Sequence, residues 1–294
     1  MMKGWLVVNS FVESEKFNVL FDMLEKAAKA QGADLERRGN AELWTWLFQY
    51  GYELGTKRPD FVIFWDKDIK LAQELERQGL RVFNNARAIA ECDDKSLTYL
   101  RLQHAGILQP ETLVSPKKFH ADGKLDEGFL KAAGEMLGYP CIIKECMGSF
   151  GQQVRLAENE EQLRSFILDC GDRPYIIQRY IAASKGRDIR VQVVGDKVIA
   201  GMLRENPDDF RANITNGGTM RDCTAEITHD QRTLAIRATR ALGLDFAGVD
   251  ILFGEHGESI LCEVNSNAHF KNLFDCSGID TSGFILQHIL KSVS

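Results

Sequence analysis

The stretch Ala247-Gly248-Val249-Asp250-Ile251-Leu252-Phe253-Gly254-Glu255-His256-Gly257-Glu258-Ser259-Ile260-Leu261-Cys262-Glu263-Val264-Asn265 decides how this chain is read. Two strand-like apolar runs flank His256-Gly257, a workable two-residue turn, and the pattern is that of a β-hairpin. Such a turn sets Asp250 opposite Glu263. Side chains alternate between the faces of a strand. One face then carries Val249, Ile251, Phe253, Ile260, Cys262 and Val264, and the other Asp250, Glu263 and Asn265. Two carboxylates directly opposed on a sheet repel, and a divalent cation between them removes the repulsion. Oxygen donors from Asp, Glu and Asn suit Mg²⁺ or Mn²⁺ far better than zinc. The bland alternative is a solvated acidic face, and a one-residue slip in register would break the pairing.

Upstream, a strand ends in Ile143-Lys144 and is followed by Gly148-Ser149-Phe150-Gly151. Glycines let backbone N–H groups wrap a phosphate while a lysine supplies charge. This loop joins strands and is not the phosphate loop that opens a helix; a plain β-turn is the competing reading. Lys95, beside Asp93-Asp94, reads as a charge on an exposed helix. Gln178-Arg179-Tyr180-Ile181 ends a strand whose backbone could serve an adenine edge, with an ordinary strand end as the alternative. A second hairpin turns at Gly195-Asp196. Its residues Ile189, Val191 and Val193 face the core, which puts Asp188 and Arg190 on the other side. Arg204 falls on the apolar face in strict register, so a bulge intervenes or Arg204 lies beyond the sheet. Arg190, Arg204, Arg211 and Asn213 could together hold carboxylate or phosphate groups.

The first third alternates strand and helix and predicts a small parallel sheet. Residues 86–104 read as one helix, the aromatic segment Trp44, Trp46, Phe48 and Tyr50 as buried core, and His269, near Asn265, as an ordinary polar loop residue in preference to one bordering the site. With 36 Lys+Arg against 42 Asp+Glu, the net charge of −6 argues against a duplex-binding stripe. No run approaches the 18 apolar residues of a membrane span, and no secretory leader pattern opens the chain. Seven cysteines, none at CxxC spacing, fit reduced thiols and a cytoplasmic location. No histidine pair or Gly-x-Ser-x-Gly elbow supports zinc or triad hydrolysis.

Taken in order, these pieces resemble the ATP-grasp superfamily and, more narrowly, the RimK-like glutamate ligases. The resemblance covers roughly residues 90–290. It is carried by Asp94-Lys95, Ile143-Lys144, Gly148 to Gly151, Gln178 to Ile181, Gly186-Arg187-Asp188-Ile189-Arg190, Asp209-Phe210-Arg211-Ala212-Asn213, Gly217-Gly218-Thr219, Ala247-Gly248-Val249-Asp250 and Glu263-Val264-Asn265-Ser266. It implies an α/β (α+β) ATP-grasp fold with an N-terminal parallel α/β domain over 1–88, a central lid subdomain over 89–182, and a C-terminal subdomain with the metal site over 183–294. By the same resemblance, Lys95 and Lys144 contact ATP phosphates under a lid of Gly148, Ser149, Phe150 and Gly151. Gln178, Arg179, Tyr180 and Ile181 hold adenine, and Asp188 the ribose side. Asp250, Glu263 and Asn265 bind Mg²⁺ or Mn²⁺, expected as two ions. Arg190, Arg204, Arg211 and Asn213 hold phosphate and the acyl phosphate or a carboxylate.

The implied activity is ATP-dependent carboxylate–amine ligation through an acyl phosphate, adding glutamate or a similar amino acid to a carboxylate acceptor such as a peptide or protein C-terminus. Nucleic acid and membrane are not expected partners, and a homo-oligomer is allowed for. A D-alanine-type or carrier-protein ligase and a non-catalytic ATP-binding regulator are the alternatives. Either Asp250→Asn or Glu263→Gln is expected to abolish metal-dependent ADP release and leave the fold intact. Three departures from the family pattern stand out: Glu145 where a proline commonly follows the lysine, Arg179-Tyr180 in place of an acidic–aromatic pair, and the ending Asn265-Ser266-Asn267-Ala268-His269, which lies where the acceptor should enter.

Overall fold

The apolar runs of the first third pair edge to edge. In the computed structural model, which describes residues 1–51, 58–121, 124–148, 151, 153–214 and 217–294, strand β1 (Met2–Val8) lies between β2 (Ala33–Gly39) and β3 (Phe61–Trp65). Strand β4 (Val82–Phe83) lies beyond β3, and all pairings are parallel. Helices α1 (Glu15–Ala30), α2 (Asn40–Gln49) and α3 (Ile69–Arg77) form the crossovers. Apolar clusters lie on both faces of this sheet, which is why β3 is apolar at every position. Strand β2 sits at the edge and is rich in charge, so hydrophobic patterning does not find it. The aromatic segment is only half core. Trp46 packs edge-on to Trp5 at 5.5 Å, whereas Phe48 and Tyr50 are exposed.

The stretch 86–104 is two helices, not one. Helix α4 (Ala86–Asp93) ends at Asp94, whose carboxylate caps α5 (Lys95–His104) by accepting from the N–H groups of Ser96 and Leu97. A second, antiparallel sheet follows, ordered β5 (Thr112–Val114), β8 (Tyr175–Arg179), β6 (Cys141–Glu145), β7 (Val154–Ala157). Its alternation is plain. Cys141, Ile143, Tyr175 and Ile177 pack against α6 (Glu127–Leu137) and α7 (Glu160–Cys170). The intervening Ile142, Lys144, Ile176 and Gln178 face a cavity.

The third sheet is antiparallel: β11 (Thr219–Asp222), β10 (Lys197–Glu205), β9 (Arg187–Val194), β12 (Phe246–Phe253), β13 (Ser259–Asn265). Helix α8 (His229–Ala241) covers the face carrying Ile189, Val191, Val193, Val249 and Ile251. Helix α9 (Lys271–Ser277) packs near β10. The C-terminal helix α10 (Thr281–Val293) joins Val194 and Phe246 of this sheet to α1 and the first sheet in one apolar cluster. Asn84 fastens the same junction: its side chain donates to the carbonyls of Phe246 and Ser266, both at 2.9 Å, and accepts from the N–H groups of Asp245 and Phe246. Among the described residues no helix is long and apolar enough to cross a membrane.

The hairpin 247–265 differs from its two-residue expectation in two ways that cancel. The loop is one residue longer, closing from Gly254 N–H to Glu258 C=O at 2.8 Å, with Gly257 at φ +86°. A bulge at Cys262 then takes up one residue, so Asp250 still pairs with Glu263 while Ile251 pairs with Leu261. The bulge moves Leu261 into the core and turns Cys262 toward the cavity, which corrects its placement on the apolar face.

Candidate active site

The cavity of about 490 Å³ opens between the second and third sheets and reaches the C-terminal ends of β1 and β3. Its size is that of a small-molecule site. Lys95, Lys144, Gly148, Gly151, Gln178, Arg179, Tyr180, Ile181, Asp188, Arg190, Arg204, Arg211, Asn213, Asp250, Glu263 and Asn265 all line it. Every expected site residue except Ser149 and Phe150 is therefore brought together; those two lie outside the described residues.

The kink at Asp94 lifts Lys95 off the exposed helix face expected for it. Its N–H bonds the Cys146 carbonyl at 3.0 Å, and its Nζ reaches the Gly148 carbonyl at 3.1 Å. Lys144, one face of β6, has no hydrogen bond or ion pair among the described residues and points its charge at the same space. The glycines beside it are required by conformation: Gly148 has φ +140° and Gly151 φ +71°. A Cβ on Gly148 would stand 2.4 Å from Gln153 Oε1. Arg211, braced by Asp209, donates to the Gly151 carbonyl at 2.8 Å and so links Gly151 to the 209–213 segment.

Ile142, Val154, Ile176 and Leu252 form an apolar slot between the two sheets. Strand β8 ends at Arg179, so the backbone of Tyr180 and Ile181 runs past the ladder along this slot. Gln178 is buried and donates to Thr112 Oγ1 at 2.9 Å. The Arg179 guanidinium is taken up by Glu111 and the Met136 carbonyl, so only its backbone remains for a ligand.

On the third sheet a bulge between Val198 and Ala200 restores Arg204 to the cavity face, opposite Asp188. Arg204 pairs with Asp188 through two 2.6 Å hydrogen bonds and with Asp250 at 3.0 Å. Arg190 pairs with Asp250 through two at 2.7 Å. The four side chains form a buried, charge-balanced quartet. Burial pushes the Asp188 carboxyl up against the pull of Arg204. Burial would raise Asp250 as well, but Arg190 and Arg204 together hold its carboxyl below the usual range. The repulsion expected of the Asp250–Glu263 pair is thus relieved by arginines, and the hairpin needs no cation in order to form. Asp250→Asn is therefore expected to cost stability, which the expectation above did not include.

Glu263 has no ion pair or hydrogen bond among the described residues, and Asn265 keeps a buried Nδ2 without a partner. Among the described residues no three His, Cys, Asp or Glu side chains converge as a self-sufficient metal cage. That donor set fits Mg²⁺, which is ordinarily held by one or two carboxylates together with substrate phosphates. Thiol chemistry has no support, since burial pushes Cys92 up to about 12 and Cys262 up to about 11.

Several cavity residues have no motif to announce them. Asn9 and Asp66 end β1 and β3, Lys67 pairs with Asp93 of α4, and Asn267 and His269 follow β13. His269 is a half-buried wall of the cavity, edge-on to Phe17 at 5.5 Å, not a plain loop residue.

The RimK-like ATP-grasp domain model matches residues 92–289. N-acetylaspartylglutamate synthase A of Homo sapiens is 34% identical over 227 residues, covering 76% of this chain and 56% of that longer protein. A probable alpha-L-glutamate ligase of Picosynechococcus is 33% identical over 227 residues, covering 76% of this chain and 72% of the relative. In fold, the chain superposes on D-alanine–D-alanine ligase from Bacillus anthracis, solved with ATP, with a TM-score of 0.74 at 18% identity, covering 100% of this chain and 97% of the other.

Proposed function

Because this chain belongs to the RimK-like ATP-grasp family, whose members join carboxylates to amines at the expense of ATP, we propose that it adds glutamate or a similar amino acid to a small or peptidic carboxylate by way of an acyl phosphate. The observation that carries this reading is the single cavity holding Lys95 and Lys144 on one side and Asp250, Glu263 and Asn265 on the other.

ATP would lie with its base in the apolar slot beside Tyr180 and Ile181 and its phosphates near Lys144, Lys95, Gly148 and Gly151. Asp250, Glu263 and Asn265 would hold Mg²⁺ or Mn²⁺ there, and the ion would supply neutralising charge to the phosphates. A carboxylate oxygen of the acceptor attacks the γ-phosphorus, the bond to the β-phosphate oxygen breaks, and ADP leaves. The amino-acid substrate's ammonium loses one proton, the freed amine nitrogen attacks the acyl carbon, phosphate departs, and the nitrogen gives up a second proton. The arginines tune the site by charge: Arg190 and Arg204 keep Asp250 ionised, and Arg211 with Asn213 closes the turn over the nucleotide. Residues 1–88 would contribute one wall of the acceptor space, 89–182 the lid, and 183–294 the metal and phosphate face.

The test is an acceptor labelled with ¹⁸O in its carboxylate, incubated with the protein, ATP, Mg²⁺ and L-glutamate. The expected result is ADP, with one ¹⁸O per turnover in inorganic phosphate. Label in AMP, or ADP release that needs no amine, would overturn the reading.

A further inference from the structure

The cavity wall formed by the first sheet and the segment after β13 has a polarity of its own. Asp66 is 7% exposed; its Oδ1 accepts from Asn9 Nδ2 at 3.1 Å and from the Lys67 N–H at 2.7 Å, and its Oδ2 has no partner. Asn267 donates Nδ2 to the Asp66 carbonyl at 3.0 Å, which leaves its Oδ1 as the free end, buried and unpartnered. His269 places Nε2 3.0 Å from the Lys16 carbonyl. A carbonyl can only accept, so the proton is assigned to Nε2, and Nδ1, also buried and unpartnered, carries a lone pair. Burial pulls the imidazole down to about 4, so it stays neutral at pH 7.

Among the described residues, three side chains that line this part of the cavity thus keep an orphaned acceptor: Asp66 Oδ2, Asn267 Oδ1 and His269 Nδ1. Orphaned donors sit on other side chains: Asn265 Nδ2 and Gln192 Nε2 on the third sheet, Trp65 Nε1 in the ring stacked on Phe246, and Arg38 Nε. Buried acceptors left bare are costly and are ordinarily satisfied. A water brings two donors and no charge. A primary ammonium brings three donors, no acceptor, and a positive charge to set against Asp66.

We propose that Asp66, Asn267 and His269 form the ammonium-recognition site for the incoming amino-acid substrate. This rests on the ligase reading for its purpose but not for its detection. Asp66 supplies the charge, and Asn267 and His269 fix direction; Asn9 and the Lys16 carbonyl are positioning groups that aim them. The site also accounts for the departure of residues 265–269 from the family pattern, since two of its three acceptors come from there.

The experiment is calorimetric titration of the full chain, with a non-hydrolysable ATP analogue and Mg²⁺ present, using three amines and their desamino counterparts: L-glutamate and glutarate, L-aspartate and succinate, D-alanine and propionate. At least one amine should bind ten-fold or more tighter than its counterpart. Asp66→Asn, which keeps the Oδ1 acceptor, should weaken that amine 10- to 100-fold and leave the counterpart within two-fold. His269→Phe should weaken the amine 3- to 10-fold, and His269→Gln, which restores an acceptor, should recover most of it. Equal binding of every pair, or a preference that survives both Asp66→Asn and His269→Phe, overturns the site. Nucleotide affinity and ADP release report separately on the ligase reading: amine preference without ADP release would sink the ligase and leave the site standing.

Discussion

Replacing Asp250 and Glu263 separately divides the structural work of the hairpin from its chemistry. Asp250 belongs to the buried quartet, bidentate with Arg190 at 2.7 Å and with Arg204 at 3.0 Å. At roughly 4 Å between charges and an effective dielectric near 20, each attraction is about 4 kcal/mol. Desolvation of the carboxylate and repulsion from Asp188 return part of this. Loss of one partner from a buried pair costs about 3–5 kcal/mol because the remaining charge stays buried. At about 2–4 °C per kcal/mol, Asp250→Asn should lower Tm by roughly 6–20 °C. Glu263 has no such partners, so Glu263→Gln should change stability by less than about 0.5 kcal/mol. Both variants should lose metal-dependent ADP release by at least about 100-fold, or 2.7 kcal/mol of barrier. Differential scanning fluorimetry and a coupled ADP assay read the two effects. An Asp250→Asn protein that melts within 2 °C of wild type refutes the quartet argument. A Glu263→Gln protein that turns over normally refutes the metal assignment.

Lys144→Met removes a cation that has no hydrogen bond or ion pair among the described residues. It should leave Tm within about 2 °C while weakening a fluorescent ATP analogue by roughly ten-fold or more; unchanged affinity would remove Lys144 from the phosphate site. His269 gives a pH dependence. Its pKa is about 6.5 when unfolded and about 4 in the fold. A depressed histidine keeps its full contribution above pH 6.5 and loses it as pH falls toward 4. The loss is roughly 2 kcal/mol once partial exposure is allowed for, and denaturant unfolding at pH 7.5 and 4.5 should show it in wild type and less of it in His269→Gln.

The sequence was most legible where chemistry and periodicity coincide. Asp250 and Glu263 face each other as the hairpin pattern demands, although the longer loop and the Cys262 bulge that preserve the pairing leave no mark in an alternation of apolar residues. Arg204 announced its own irregularity by falling on the wrong face, and the bulge at Val198–Ala200 resolves it. Patterning alone left Lys95 on an exposed helix, because Asp94 ends one helix and caps the next within a stretch that reads as continuous helix; only the family resemblance pointed it toward the site. Asp66, Asn267 and His269 were not legible as a group. They come from distant segments, and only their unmet hydrogen bonds, visible once the chain is folded, bring them to notice.

Asn84 limits how this protein can be re-engineered. Its carboxamide closes four main-chain groups of residues 245, 246 and 266 that would otherwise be stranded. A chimaera that grafts a foreign segment onto residue 89 to change substrate range would therefore expose raw backbone at the seam, at about 1–3 kcal/mol per bare group. Successful transplants will carry that asparagine with them, or exchange the seam and the graft as one cassette.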